Sequence, residues 1–104
     1  KLRESNIVYE FLSPTGTSVH ETPSLEVVFF SLNPKSWSRE DYSAHAAEEC
    51  IIVLSGDITI DCVDETFALH AGDSIYIKNN IPHKAFNPGE TVATAIMCLT
   101  PPVY

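Results

Sequence analysis

The sequence is poor in positive charge: six Lys and Arg stand against fourteen Asp and Glu, a net charge of -8. Such a chain repels phosphate backbones and anionic membranes, so this segment is not expected to bind DNA by itself or to seek a membrane surface. The acidic residues (Glu40-Asp41, Glu48-Glu49, Asp61, Asp64-Glu65, Asp73) are dispersed, as on a solvated surface; Glu49 is the exception argued below. Cysteine is scarce as well. Cys50, Cys62 and Cys98 are widely spaced and include no C-x-x-C pair, which argues against a disulfide framework or a zinc ribbon and for a reducing, cytoplasmic location. No apolar run approaches the ~20 residues of a membrane span, and Lys1-Leu2-Arg3-Glu4 leads into no signal-type apolar core. A helical period is missing too; only Ser38 to Tyr42 could form a turn, after an N-cap serine.

What is present is β-structure. At 104 residues the chain fits a single domain, 1–104, and its 44% hydrophobic content predicts a folded one. Short β-rich runs recur about every ten residues with turn signals between them, the pattern of a sandwich or barrel. They cover residues 7–11, 25–32, 49–54, 58–63, 66–69, 74–77, 83–86 and 91–99. Asn33-Pro34, Ser55-Gly56-Asp57, Asp64-Glu65, Ala71-Gly72-Asp73 and Asn87-Pro88-Gly89-Glu90 punctuate them. Residues 13–18 read as a mobile loop.

Three side chains are suited to bind a divalent cation through nitrogen and oxygen: His45, Glu49 and His83. If Ala46-Ala47-Glu48 is a turn, His45 lies on one strand and Glu49 on its neighbour, both pointing inward. Alternation then puts Glu49, Ile51 and Val53 on the inner face and Cys50, Ile52 and Leu54 on the other. Convergence with His83, from a distant strand, requires a closed or nearly closed barrel. His20 reads as a loop residue and His70 as a hairpin-turn residue, both on the surface. Met97 and Cys98 read as core, and Trp37, Tyr42, Tyr76 and Phe86 as packing.

The run His45-x3-Glu49-x6-Gly56 resembles the first cupin motif, and Gly72-x10-His83-x3-Asn87 resembles the second at its full length. The resemblance covers residues 42–101 well and the earlier strands loosely. It implies an all-β cupin double-stranded β-helix, a jelly-roll barrel. Two departures stand out: Ser43 occupies the position of a first histidine, and Lys78 and Asn80 replace an expected proline and glycine. The resemblance therefore leaves two readings of the site. His45, Glu49 and His83 hold a divalent transition metal (Zn, Fe, Mn or Ni) one ligand short, or Ser43, His45, Glu49 and His83 form a pocket for an organic ligand without metal.

The layout is also similar to the C-terminal half of bacterial regulators that join an Xre-type helix-turn-helix to a cupin and close on a Thr-Pro-Pro-aromatic tail. The chain lacks an initial Met and enters a strand almost at once, as expected of a segment cut from a longer protein, although loss of a tag or initiator Met looks the same. That resemblance implies a non-enzymatic sensor: a homodimer that binds a small-molecule effector and meets DNA only through a missing N-terminal domain. Amino acids, polyamines and small carboxylates are effectors expected by family, and an amine would find Glu49 a natural partner. The competing expectations are a small metal-dependent oxygenase, isomerase or lyase, and a purely structural, dimer-forming module.

Overall fold

The computed structural model describes residues 2–3, 6–13 and 24–103. His20, Tyr104 and all of the expected 13–18 loop except Ser13 lie outside them. The β-branched and aromatic runs form ten strands, and the described residues contain no helix. In chain order these are β1 (Leu2–Arg3), β2 (Ile7–Phe11), β3 (Glu26–Leu32), β4 (Ser36–Trp37), β5 (Glu48–Ser55), β6 (Asp57–Asp61), β7 (Thr66–His70), β8 (Ser74–Ile77), β9 (Lys84–Asn87) and β10 (Ala93–Thr100). They build a six-stranded sheet in the order β1-β2-β3-β10-β5-β8 and a four-stranded sheet in the order β4-β9-β6-β7.

Period-two alternation turns one face of each sheet inward. Val28, Phe30 and Leu32 of β3, Ala93, Ala95, Met97 and Leu99 of β10, and Ile51 and Val53 of β5 meet Ile58 and Ile60 of β6, Leu69 of β7 and Ala85 of β9 in one buried core. Fully burying an aliphatic side chain of this kind contributes about 1.5–3 kcal/mol, so the sheets cannot part without losing the core. Glu49 is buried on the same face as Ile51 and Val53, while Ile52 and Leu54 are exposed, as the alternation predicts. Met97 is core; Cys98 is only half-buried and lies on the opposite face, directly across from Cys50 in the β10–β5 register. All three cysteines are free.

Two turns need glycine. Gly56 has φ +77°, and a Cβ there would come within 3.0 Å of Ala93 Cα, so both conformation and space forbid a side chain. Gly72 has φ +92° but open space around it; there the conformation alone selects glycine. Asn80, where the motif expects glycine, takes φ 63°, the left-handed region that asparagine tolerates better than most residues. The departure keeps the backbone shape.

One expected turn is absent. Residues 38–42 form bends, not a helical turn, because Ser38 continues the β4–β9 pairing: its N–H donates to Ala85 O at 2.7 Å and its hydroxyl accepts from Ala85 N–H at 3.0 Å. With its side chain so engaged, Ser38 caps nothing.

Candidate metal and ligand site

Glu49, near the start of β5, points into the barrel because it shares the inward register with Ile51 and Val53. His83 precedes β9 and pairs with Ser43 in an isolated antiparallel bridge. His45 lies in the segment between that bridge and β5, not on a strand, so the expected hairpin carrying His45 and Glu49 on neighbouring strands is not formed. What replaces it is a loop held from the far side: Asn80 N–H donates to His45 O at 2.6 Å, in the turn where Asn stands for glycine.

The three side chains converge. Ligand atoms of His45, Glu49 and His83 lie within 4.8 Å of one another, and the two imidazole rings meet edge to face with centroids 5.7 Å apart. His83 Nδ1–H donates to Ile81 O at 2.8 Å, which leaves Nε2 facing Glu49 Oε1 at 2.7 Å. One proton is shared between Nε2 and Oε1, and the raised pKa of His83 favours its residence on the imidazole. Burial alone would lower the proton affinity of His83; the hydrogen bonds to Glu49 and Ile81 and the charge of Glu49 outweigh it, against a smaller opposing push from Arg39, and the pKa is raised. His45 goes the other way, lowered by burial and by the positive charges of His83 and Arg39, with Glu49 resisting.

Glu49 Oε2 is sealed from solvent and has no hydrogen-bond partner. A buried carboxylate oxygen left bare costs free energy, so this atom calls for a partner, whether a ligand, an ion or an ordered water. A divalent transition metal fits here. Donors bound to one ion at ~2.1 Å lie up to ~4.2 Å apart, so a small side-chain rotation closes the set. His45, Glu49 and His83 would hold such an ion, with Ile81 O keeping the other ring nitrogen of His83 in the tautomer that presents Nε2. Such an ion supplies Lewis acidity to a ligand bound beside it.

Ser43 lines the same pocket. It adds no nitrogen as a fourth ligand: its backbone makes both hydrogen bonds of the bridge to His83, at 2.9 Å each, and its hydroxyl donates to His83 O at 3.3 Å. Its role in the geometry is to hold the His83 backbone. Tyr9, Phe30, Ile51, Ile60 and Met97 wall the pocket, and the room left is about 40 Å³. That space takes an ion with water, or the head of a small molecule.

Reasoning from ligand types passed over Arg39 and Lys84, which also line this pocket. The signal that could have found them was scarcity, since they are two of only six cations in the chain. His70, expected in a turn, ends β7 instead and is exposed, bonded to Asp57. Trp37 and Phe86 pack at 4.8 Å between centroids, whereas Tyr76 is 60% exposed and packs little.

Several solved structures share the fold. The cupin domain of an XRE family transcriptional regulator from Enterobacter cloacae superposes with TM-score 0.76 at 16% identity, over 94% of this chain and 99% of that one. KdgF from Halomonas sp. gives TM-score 0.79 at 18% identity, over 99% of this chain and 87% of that one. A cupin 2 conserved barrel domain protein from Salinispora arenicola gives 0.79 at 21%, over 96% and 81%. No curated protein matches the chain. The family model described as the cupin domain matches residues 28–99, from within β3 through both motifs into β10. On that match, with two facing antiparallel sheets and both motif glycines in their special conformations, this chain belongs to the cupin domain family.

Proposed function

We propose that this cupin domain is the ligand-sensing part of a transcriptional regulator, and that it binds a small effector beside a divalent metal held by His45, Glu49 and His83. The observation that carries the site is the bare Glu49 Oε2, an uncompensated acceptor sealed at the bottom of a pocket together with two imidazoles. The sensing role is supported by extent: this chain and the regulator's cupin domain match over nearly their whole lengths. Binding moves such a device only if the effector prefers one arrangement of the linked DNA-binding domains, so a homodimer through which two barrels change their relative position belongs to this reading.

The test has two steps. Protein purified without a nickel column is analysed for metal, and a content below about a tenth of an equivalent of any transition metal removes the ion from the proposal. A metabolite panel is then screened by thermal shift on the gene product that includes whatever precedes Lys1, followed by operator binding with and without each hit. The reading predicts that hits alter DNA affinity and that Glu49→Gln and His83→Ala abolish the shift. Hits that survive both substitutions would place the ligand elsewhere.

The donor set favours one second reading. Two histidines and a carboxylate are the ligand types of the facial triad of non-haem iron oxygenases, which leaves positions open to substrate. Oxygen consumption by iron(II)-loaded protein, dependent on a hit from the same panel, would move the assignment to an enzyme.

A further inference from the structure

The cations of this acidic chain are not spread evenly. Lys35, Arg39 and Lys84, three of its six, line one surface groove of about 290 Å³ together with Trp37 and Glu40. Arg39 and Lys84 also line the barrel pocket, so groove and pocket share a wall and the two cations stand at the mouth. Lys35 is already neutralised, 3.3 Å from Glu90 and donating to Pro88 O. The other two are not. Lys84 Nζ donates to Glu40 O at 3.0 Å and lies over the rings of Trp37 and Tyr42 at 4.4 and 4.8 Å, which fixes its charge in place without a counter-ion. Arg39 makes no hydrogen bond or ion pair with any described residue, although Glu40 and Asp41 follow it in the chain.

In a chain of net charge -8, two cations without an ion pair stand at one pocket mouth, with Glu40 in the groove and Asp61 across the strand from Lys84. A guanidinium offers paired N–H groups that match a planar carboxylate, and a fixed ammonium beside it adds charge. The other end of the site is of a different kind: Glu49 Oε1 is committed to His83, and the bare Oε2 with the two imidazoles is the set assigned to the ion. Of the effectors expected by family, those with an acid group are the ones that Arg39 and Lys84 match, although Glu40 lines the same groove. The deep space of about 40 Å³ admits only a few atoms, so the bulk of any ligand lies in the outer groove.

We propose that the effector is a small carboxylate, its acid group clamped by Arg39 with Lys84 beside it and its other end directed at His45, Glu49 and His83. This deepens the sensing reading and rests on it for the role of the inner site.

Isothermal titration calorimetry with malonate and succinate, against neutral malonamide and inorganic phosphate, tests the assignment on zinc-treated and metal-free protein. Arg39 is exposed, so Arg39→Gln and Arg39→Lys should fold and hold zinc as the parent does, which metal analysis after dialysis checks. The expected result is saturable binding of a dicarboxylate, weakened at least tenfold by Arg39→Gln and less by Arg39→Lys, with malonamide silent. Equal dicarboxylate affinity in Arg39→Gln, no dicarboxylate binding at all, or phosphate preferred over both acids would each overturn it. Failure of the metal is separable: protein that retains no zinc yet binds malonate in an Arg39-dependent way sustains the carboxylate assignment and discards the ion.

Discussion

Two histidine–carboxylate contacts of equal length occur among the described residues. His83 Nε2 lies 2.7 Å from Glu49 Oε1, and His70 Nδ1 lies 2.7 Å from Asp57 Oδ1. The first pair has side chains 9% and 2% exposed, the second 71% and 51%. His70 and Asp57 are cross-strand partners closing the open end of the β6–β7 hairpin, and both side chains are largely open to solvent. Glu49 has no such recourse, and its Oε2 is left bare. Equal contact distances therefore say little about role; what separates a ligand site from a surface tie is whether water can complete the coordination.

The largest effect should come from breaking the buried pair. Glu49→Ala leaves a protonated imidazole in the barrel without its carboxylate, a change that costs about 3 kcal/mol when the charge stays. The loss is expected at pH 6 and should shrink at higher pH, where His83 can discharge by releasing its proton. Asp57→Ala, on the surface, should leave the urea midpoint within error of the parent. Equal losses from the two substitutions in urea denaturation would erase the distinction drawn here.

Metal affinity comes next. If the bare oxygen and the two imidazoles hold an ion, His83→Ala should weaken zinc binding by more than the ~10–100-fold typical of outer-sphere changes, read by competition with a chromophoric chelator. His70→Ala should bind zinc as the parent does, although it removes an imidazole from an equally short contact.

The two pairs also show how much of this was legible beforehand. The β-runs, the inward register of Glu49 and the glycines at 56 and 72 follow from alternation and backbone conformation, which are local properties, and the structure carries them. His45 was placed on the wrong kind of element because spacing alone cannot tell a hairpin from a loop leading into a strand; the bond from Asn80 that holds the loop crosses thirty-five positions of sequence. The two-residue strands β1 and β4 carry too little pattern to be seen. Arg39 and Lys84 offer only their scarcity as a signal in the sequence. Their meaning lies in missing partners, and a sequence does not show which charges pair.

The smallest effect expected is a pH dependence that the two pairs share but salt should separate. Both His83 and His70 have raised pKa values: His83 against its burial, through its bonds to Glu49 and Ile81, and His70 through its bond to Asp57. A folded-state pKa above the unfolded value of ~6.5 means that each contribution is fully present below that pH and is lost as pH rises through the folded value. His45, lowered by burial, acts in the opposite sense but only below ~6.5. Urea midpoints should therefore fall as pH rises above ~6.5. At 1 M salt the Debye length is ~3 Å, which screens the exposed His70–Asp57 pair and leaves the buried one. The fall should persist in 1 M NaCl and in His70→Asn, and disappear in Glu49→Gln; if 1 M NaCl alone flattens it, the surface pair was its source and the buried imidazole does not titrate in this range.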